Sequence, residues 1–222
     1  MHRATVNRGV RIIAAALGVI LALLIGGPST GPAHASAATP VGDAISIGDP
    51  NALKQIDLYV DPLCPYSGKF IRAQGDEMAK RIENGSLRVN LRFVNFLEKY
   101  SATGTYDIRA IYAAFVVAGQ SQSSDVTWRF VQQIFSADQQ PKEKGPTDLS
   151  DDQLAELAGR VGAPQAAQDL IRFGLPIGFD PHAIAANNLS ALHDFPEAGV
   201  PLVVINGQPV DGDSDWLGRL AS

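Results

Sequence analysis

Between Ile56 and Phe93 the apolar residues change their period twice, and the one cysteine of the chain sits at the first change. Ile56-Asp57-Leu58-Tyr59-Val60 reads as a strand, which Asp61-Pro62 interrupts shortly before Cys64-Pro65-Tyr66-Ser67. From Pro65 onward Phe70, Ala73, Met78 and Ile82 recur at helical spacing as far as the stop signal Asn84-Gly85. Pro65 suits the first turn of such a helix, where its missing N–H costs nothing. Leu87, Val89, Leu91 and Phe93 then alternate with Arg88, Asn90 and Arg92, the period of two of a strand with one face more buried than the other. Strand, helix, strand predicts a βαβ unit with Cys64 at its first strand-to-helix junction.

The middle of the chain is helical in pattern. Ile108, Ile111, Tyr112 and Phe115 form one stripe, and Val126, Phe130, Val131, Ile134 and Phe135 form the next, both ordinary core faces. A polar connector from Ser136 to Leu149 leads to a capping box, Ser150 with Gln153, and Gly162 is the expected stop of the helix that follows. Shorter helices are expected at 164–173 and 181–193. The pattern then returns to strand: Leu202 to Ile205, the hairpin signal Asn206-Gly207, and Gln208-Pro209-Val210, where Pro209 marks an edge. A closing helix from about Asp213 offers Trp216, Leu217 and Leu220 to the core. Ala44 to Ile47 reads as a short first strand, and residues 36–43 as a small, polar, mobile tail.

Ahead of that tail stands a secretory leader, residues 1–35. It has a basic start to Arg11, uncharged residues from Ile12 to Ile25, and a small-residue cleavage site at Ala33-His34-Ala35. The uncharged run is shorter than the roughly 20 residues that span a bilayer, so cleavage after Ala35 is expected; an uncleaved leader would instead anchor the chain. Lys plus Arg number 18 against 23 Asp plus Glu, and the leader holds three of the basic residues and no acid. What remains is acidic and has no basic cluster, which excludes nucleic acid and anionic membrane surfaces as partners. His182 and His193 lie on predicted helices without a ligand pattern, so no metal is expected.

An exported protein meets oxidising conditions, where structural cysteines come in pairs. A single Cys64 cannot staple this chain, so its thiol is either buried and inert, paired with another molecule, or kept for chemistry. At a helix N-terminus a thiol faces unpaired N–H groups and the positive end of the dipole, which favour the thiolate and predict a lowered pKa. The Ser67 hydroxyl, one turn on, offers a further hydrogen bond to the sulfur.

The Cys64-Pro65-Tyr66-Ser67 junction, the helical insert, and Gly199-Val200-Pro201 just ahead of a strand and an Asn-Gly hairpin resemble the DsbA-like branch of the thioredoxin superfamily. More narrowly, the chain is similar to exported actinobacterial thioredoxin-like proteins, with their Asp-Pro-Leu-Cys-Pro approach to the site, here Asp61 to Pro65. The resemblance implies an α/β thioredoxin fold with an inserted helical domain: 44–104 as the first part of the thioredoxin domain, 105–194 as the insertion, and 195–222 as its end. It also implies a cis bond at Val200-Pro201 beside Cys64, where the backbone pairs with an extended substrate and Tyr66 presents a ring at the rim.

Two departures stand out. Ser67 occupies the place of the usual resolving cysteine, so no internal disulfide can form. Leu58 occupies the place of the buried acid that relatives carry six residues before the nucleophile; Asp57 should point to the opposite sheet face, and Asp61, if unpaired near the sulfur, would raise the thiol pKa.

The reading that follows is an extracytoplasmic thiol-disulfide oxidoreductase working through one nucleophile, Cys64, by isomerisation or reduction. Pro65 and Ser67 complete the catalytic set; Tyr66, Val200 and Pro201 contact the substrate. The expected partners are disulfide-containing or thiol-bearing exported proteins and a low-molecular-weight thiol, with no cofactor. Two alternatives remain open: a non-catalytic peptide-binding or chaperone-like module, and a kappa-type glutathione-transferase-like enzyme in which Ser67 is the activating group.

Overall fold

The computed structural model describes residues 36–196, 198–210 and 216–219; the expected leader, and Leu220 of the closing helix, lie outside them. Its centre is a six-stranded sheet in the order β1-β2-β4-β3-β5-β6. The strands are β1 (Ala37–Val41), β2 (Ala44–Gly48), β3 (Lys54–Val60), β4 (Leu87–Phe93), β5 (Leu202–Ile205) and β6 (Gln208–Val210). Helix α1 (Pro65–Glu83) joins β3 to β4, which run parallel, with Leu58 opposite Leu91. Five helices lie between β4 and β5: α2 (Tyr106–Ser121), α3 (Ser124–Ile134), α4 (Asp151–Arg160), α5 (Gln165–Phe173) and α6 (Pro181–His193). A short α7 (Trp216–Arg219) follows β6.

The period-two residues of β4 behave as expected, with Leu87, Val89, Leu91 and Phe93 buried and the polar residues between them half-buried. Leu58 and Val60 of β3 join α1, α2 and α3 in one continuous core. Tyr59, from the other face of β3, packs with Val94, Val204 and Leu192, the last of these on α6. Asp57 follows that alternation, and its carboxylate pairs with Arg92 at 2.8 Å on the far side from the core containing Leu58. Sealing both faces of the sheet fixes the height at which β3 hands the chain to α1.

Two expectations need correction. Residues 36–43 are not a mobile tail: Ala37–Val41 pairs antiparallel with β2 from Ala37 against Gly48 to Val41 against Ala44, and Ala38 is buried. Pro40 in this segment discourages a strand reading, yet β1 is an edge, where a residue without an N–H is tolerated. Ala73 is exposed rather than part of the buried face of α1, which runs instead through Ser67, Ile71, Gly75, Met78 and Ile82 with Phe70 beside it. Gly75 allows α3 to come close, and its carbonyl accepts a bond from Trp128 Nε1 at 2.9 Å. Burying Phe70, Ile71, Met78 and Ile82 contributes roughly 1.5–3 kcal/mol each, and this anchors the helix whose first turn forms the site.

The hairpin turns on Asn206 and Gly207, both with positive φ, as a two-residue turn of this sequence requires. It leaves Pro209 on β6, the opposite edge of the sheet.

Candidate active site

Beyond Val60 the chain folds over itself before α1 begins. The Asp61 carbonyl accepts the Cys64 N–H at 3.0 Å, and Asp61 Oδ1 accepts the Leu63 N–H at 2.9 Å. Cys64 is thereby the N-cap residue of α1, with extended backbone (φ −68°, ψ 120°) and a side chain that caps none of the helix amides. Pro65 opens the helix. Tyr66 stands 70% exposed at the rim. Ser67 is fully buried, and its hydroxyl oxygen accepts the Asp61 N–H at 3.3 Å, which leaves the hydroxyl proton free for the sulfur.

Val200-Pro201 is a cis peptide bond, and Cys64 Sγ lies 3.7 Å from the Val200 carbonyl oxygen, the acceptor for the thiol proton. Residues 136 positions apart in the chain are therefore in contact at the sulfur. All six residues singled out from the sequence fall at the two segments, 64–67 and 200–201, that meet there.

The electrostatic balance departs from expectation. Cys64 is 4% exposed, and burial pushes its thiol above the ordinary value. The N–H groups of Ser67 and Tyr66 and the Ser67 hydroxyl pull the other way, and the Asp61 charge pushes up again. The pull that sequence reasoning anticipated is present, but desolvation exceeds it.

Sequence reasoning also missed Asp107. This residue lies in the first turn of α2, where an acid ordinarily signals nothing beyond favourable interaction with the helix dipole. Here it is wholly buried and faces the Asp61 carboxyl and the Leu63 N–H, with no hydrogen bond of good geometry on either oxygen. Burial, with the Asp61 and Glu98 charges adding to it, raises Asp107 to about 9, so it holds a proton at neutral pH. Burial also raises Asp61, to about 6, against the lowering effect of the Leu97 and Leu63 amides. Asp61 is paired, with Leu97 N–H donating to its Oδ2 at 3.1 Å, and its charge still pushes the thiol pKa up. The buried carboxyls near the sulfur come instead from Asp61, in the turn after β3, and Asp107, on α2, and they titrate as a pair.

A family model described as Thioredoxin matches residues 41–218. The chain belongs to the thioredoxin family. Solved structures narrow this to the DsbA-like branch. MdbA, a thiol-disulfide oxidoreductase from Corynebacterium matruchotii, superposes with a TM-score of 0.70 at 25% identity, covering 83% of this chain and 91% of that one. MdbA from Corynebacterium diphtheriae gives 0.68 at 27% identity, over 84% and 93%. Reduced DsbA from Mycobacterium tuberculosis gives 0.66 at 26% identity, over 81% and 91%. Among curated proteins, the serine/threonine-protein kinase PknE of Mycobacterium tuberculosis is 33% identical over 183 residues, covering 80% of this chain but 31% of PknE. The chain thus spans about a third of the length of that relative. No helix among the described residues of this thioredoxin-family chain is long and apolar enough to cross a membrane.

Proposed function

We propose that the chain is an extracytoplasmic thiol-disulfide exchange protein acting through Cys64 alone. The observation that carries this reading is the position of Sγ, at the start of α1 and 3.7 Å from the Val200 carbonyl. Likeness to thiol-disulfide oxidoreductases over more than four-fifths of the chain supports it. The leader pattern of residues 1–35 supports export.

In this cycle Cys64 gives up its proton, and the thiolate attacks one sulfur of a substrate disulfide. A Cys64–substrate disulfide forms, the substrate disulfide breaks, and the departing substrate sulfur takes up a proton. With Ser67 where a resolving cysteine would stand, a second thiol must break the adduct. A thiol of the same substrate completes isomerisation; a low-molecular-weight thiol, attacking the Cys64 sulfur, completes release of a reduced substrate and leaves Cys64 disulfide-bonded to the small thiol, which a second such thiol removes. Pro65 starts the helix without competing for the sulfur, and Tyr66, Val200 and Pro201 form the contact surface for an extended client. No cofactor enters these steps.

The test is to incubate the protein with a disulfide-bearing peptide over a range of pH and look for the mixed disulfide. Adduct formation by the wild type that Cys64→Ala abolishes is the expected result; no adduct even at alkaline pH would overturn the reading.

One observation favours a second reading. The sulfur is nearly buried and its pKa is raised, as in a peptide-binding module that retains the groove without the chemistry. Peptide binding undiminished in Cys64→Ala, with no adduct in the wild type, would select it. The transferase alternative requires Ser67 to activate a soluble thiol, but its hydroxyl is fully buried and bonded to the Asp61 N–H.

A further inference from the structure

The turn that carries Cys64 is held from inside by Asp61, but it is also held from outside by a residue far along the chain. Gln140 lies in the 136–149 connector between α3 and α4, and its side-chain amide Nε2 donates to two carbonyls of the turn, Pro62 at 3.1 Å and Cys64 at 2.9 Å. Its Oε1 accepts from Arg72 Nη1 at 3.1 Å, and the same Arg72 nitrogen donates to the Phe135 carbonyl at 2.6 Å. Both ends of the amide are therefore engaged, which fixes its orientation. The backbone beneath it is fixed too, with Gln140 N–H on the Ser136 carbonyl at 2.9 Å.

Gly68 provides the space for this arrangement. A Cβ at that position would lie 1.9 Å from Gln140 Oε1 and 2.6 Å from Arg72 Nη1, so no side chain of any kind fits while the amide is in place. The Gly68 N–H also donates to the Cys64 carbonyl at 3.1 Å, the same oxygen that Gln140 reaches. One glycine thus serves both as the helix donor to Cys64 and as the gap through which the connector reaches it.

We propose that Gln140 is a positioning residue for Cys64: its amide, admitted by Gly68 and oriented by Arg72, sets the carbonyls of Pro62 and Cys64 and so keeps the sulfur at the start of α1, beside the Val200 carbonyl. The chemical part of this inference rests on the thiol-exchange reading; the mechanical part does not. The sequence gives no sign of this contact, since a glutamine in a polar stretch reads as solvated.

The test is a double-mutant cycle on the full chain, read by the pH dependence of Cys64 alkylation, with thermal melting and amide hydrogen exchange alongside. Gln140→Ala slows alkylation at neutral pH by on the order of threefold to tenfold and moves its pH profile upward, with little change in melting temperature. Gln140→Glu keeps the length and the Arg72 partner but cannot donate to the carbonyls, so it is at least as slow. Gly68→Ala reproduces the defect by expelling the amide, and the double variant Gly68→Ala/Gln140→Ala is no slower than the worse single. Additive losses, or a Gln140→Glu protein that behaves as wild type, would overturn the proposal. Amide exchange at Cys64 and Gly68 decides the mechanical part even if Cys64 proves unable to form mixed disulfides: faster exchange in Gln140→Ala supports the strut, and unchanged exchange refutes it.

Discussion

Helix α4 begins with Ser150 Oγ accepting the Gln153 N–H at 3.2 Å and Gln153 Oε1 accepting the Ser150 N–H at 2.8 Å, followed by two acids, Asp151 and Asp152. Helix α1 begins with Cys64, which caps none of its amides, and its first turn holds no acid. The α4 terminus is closed by its own side chains; the α1 terminus keeps its amides for a sulfur. A hydroxyl cap is a permanent partner, whereas a sulfur that is to form and break bonds must be able to take the amides up as it ionises. On the proposed function the difference separates an end built for stability from one built for chemistry, and each can be converted toward the other.

The largest expected effect is that of Cys64→Ser, which gives α1 a hydroxyl cap like that of α4. Mixed-disulfide formation should fall to zero while the melting temperature holds or rises, since a serine N-cap is worth up to about 1 kcal/mol over a non-capping residue. Residual adduct formation would break the comparison at once. Next is Ser67→Ala. It removes the acceptor of the buried Asp61 N–H and one donor to the sulfur, so the protein should lose about 1–3 kcal/mol in a denaturant melt and alkylate more slowly at neutral pH.

Third is the pH dependence of stability. Asp61 and Asp107 have folded pKa values of about 6 and about 9, both above the ordinary 3.8, so the folded state binds more protons than the unfolded one. Their contribution is fully present below about pH 4, and stability falls as pH rises through 6 for Asp61 and on toward 9 for Asp107. Asp107→Asn should flatten this decline between neutral and alkaline pH in thermal melts recorded across the range, and an unchanged slope would show that the pair does not share its protons as described. The smallest effect is that of Ser150→Ala, about 1 kcal/mol of stability by denaturant titration with no change in the alkylation profile of Cys64. A shift in that profile would mean the two helix ends are not independent.

Much of the frame was legible in the sequence because it rests on short-range periodicity. The βαβ unit follows from the change of period around Cys64, the α4 start from Ser150 and Gln153, and the last hairpin from Asn206-Gly207. β1 was not legible because its pairing partner, not its own pattern, makes it a strand, and Pro40 argued the other way. The site was legible in membership but not in electrostatics. The amides around Cys64 can be placed from the helix start alone, whereas the extent of desolvation depends on what covers the sulfur, and that includes Val200 from the far end of the chain. Asp107 and Gln140 escaped for the same reason. An acid near a helix start and a glutamine in a polar connector carry no local signal, and only the long-range fold brings them to the turn.

Both outermost strands of the sheet contain a proline, Pro40 in β1 and Pro209 in β6. Each outer border therefore lacks a backbone donor within its short length, and neither can zip up with a further strand along an unbroken ladder. If the chain works on partly folded proteins as proposed, this would guard against its becoming a seed for their aggregation. Clients would be met at the sulfur, and the borders of the sheet would stay out of the encounter.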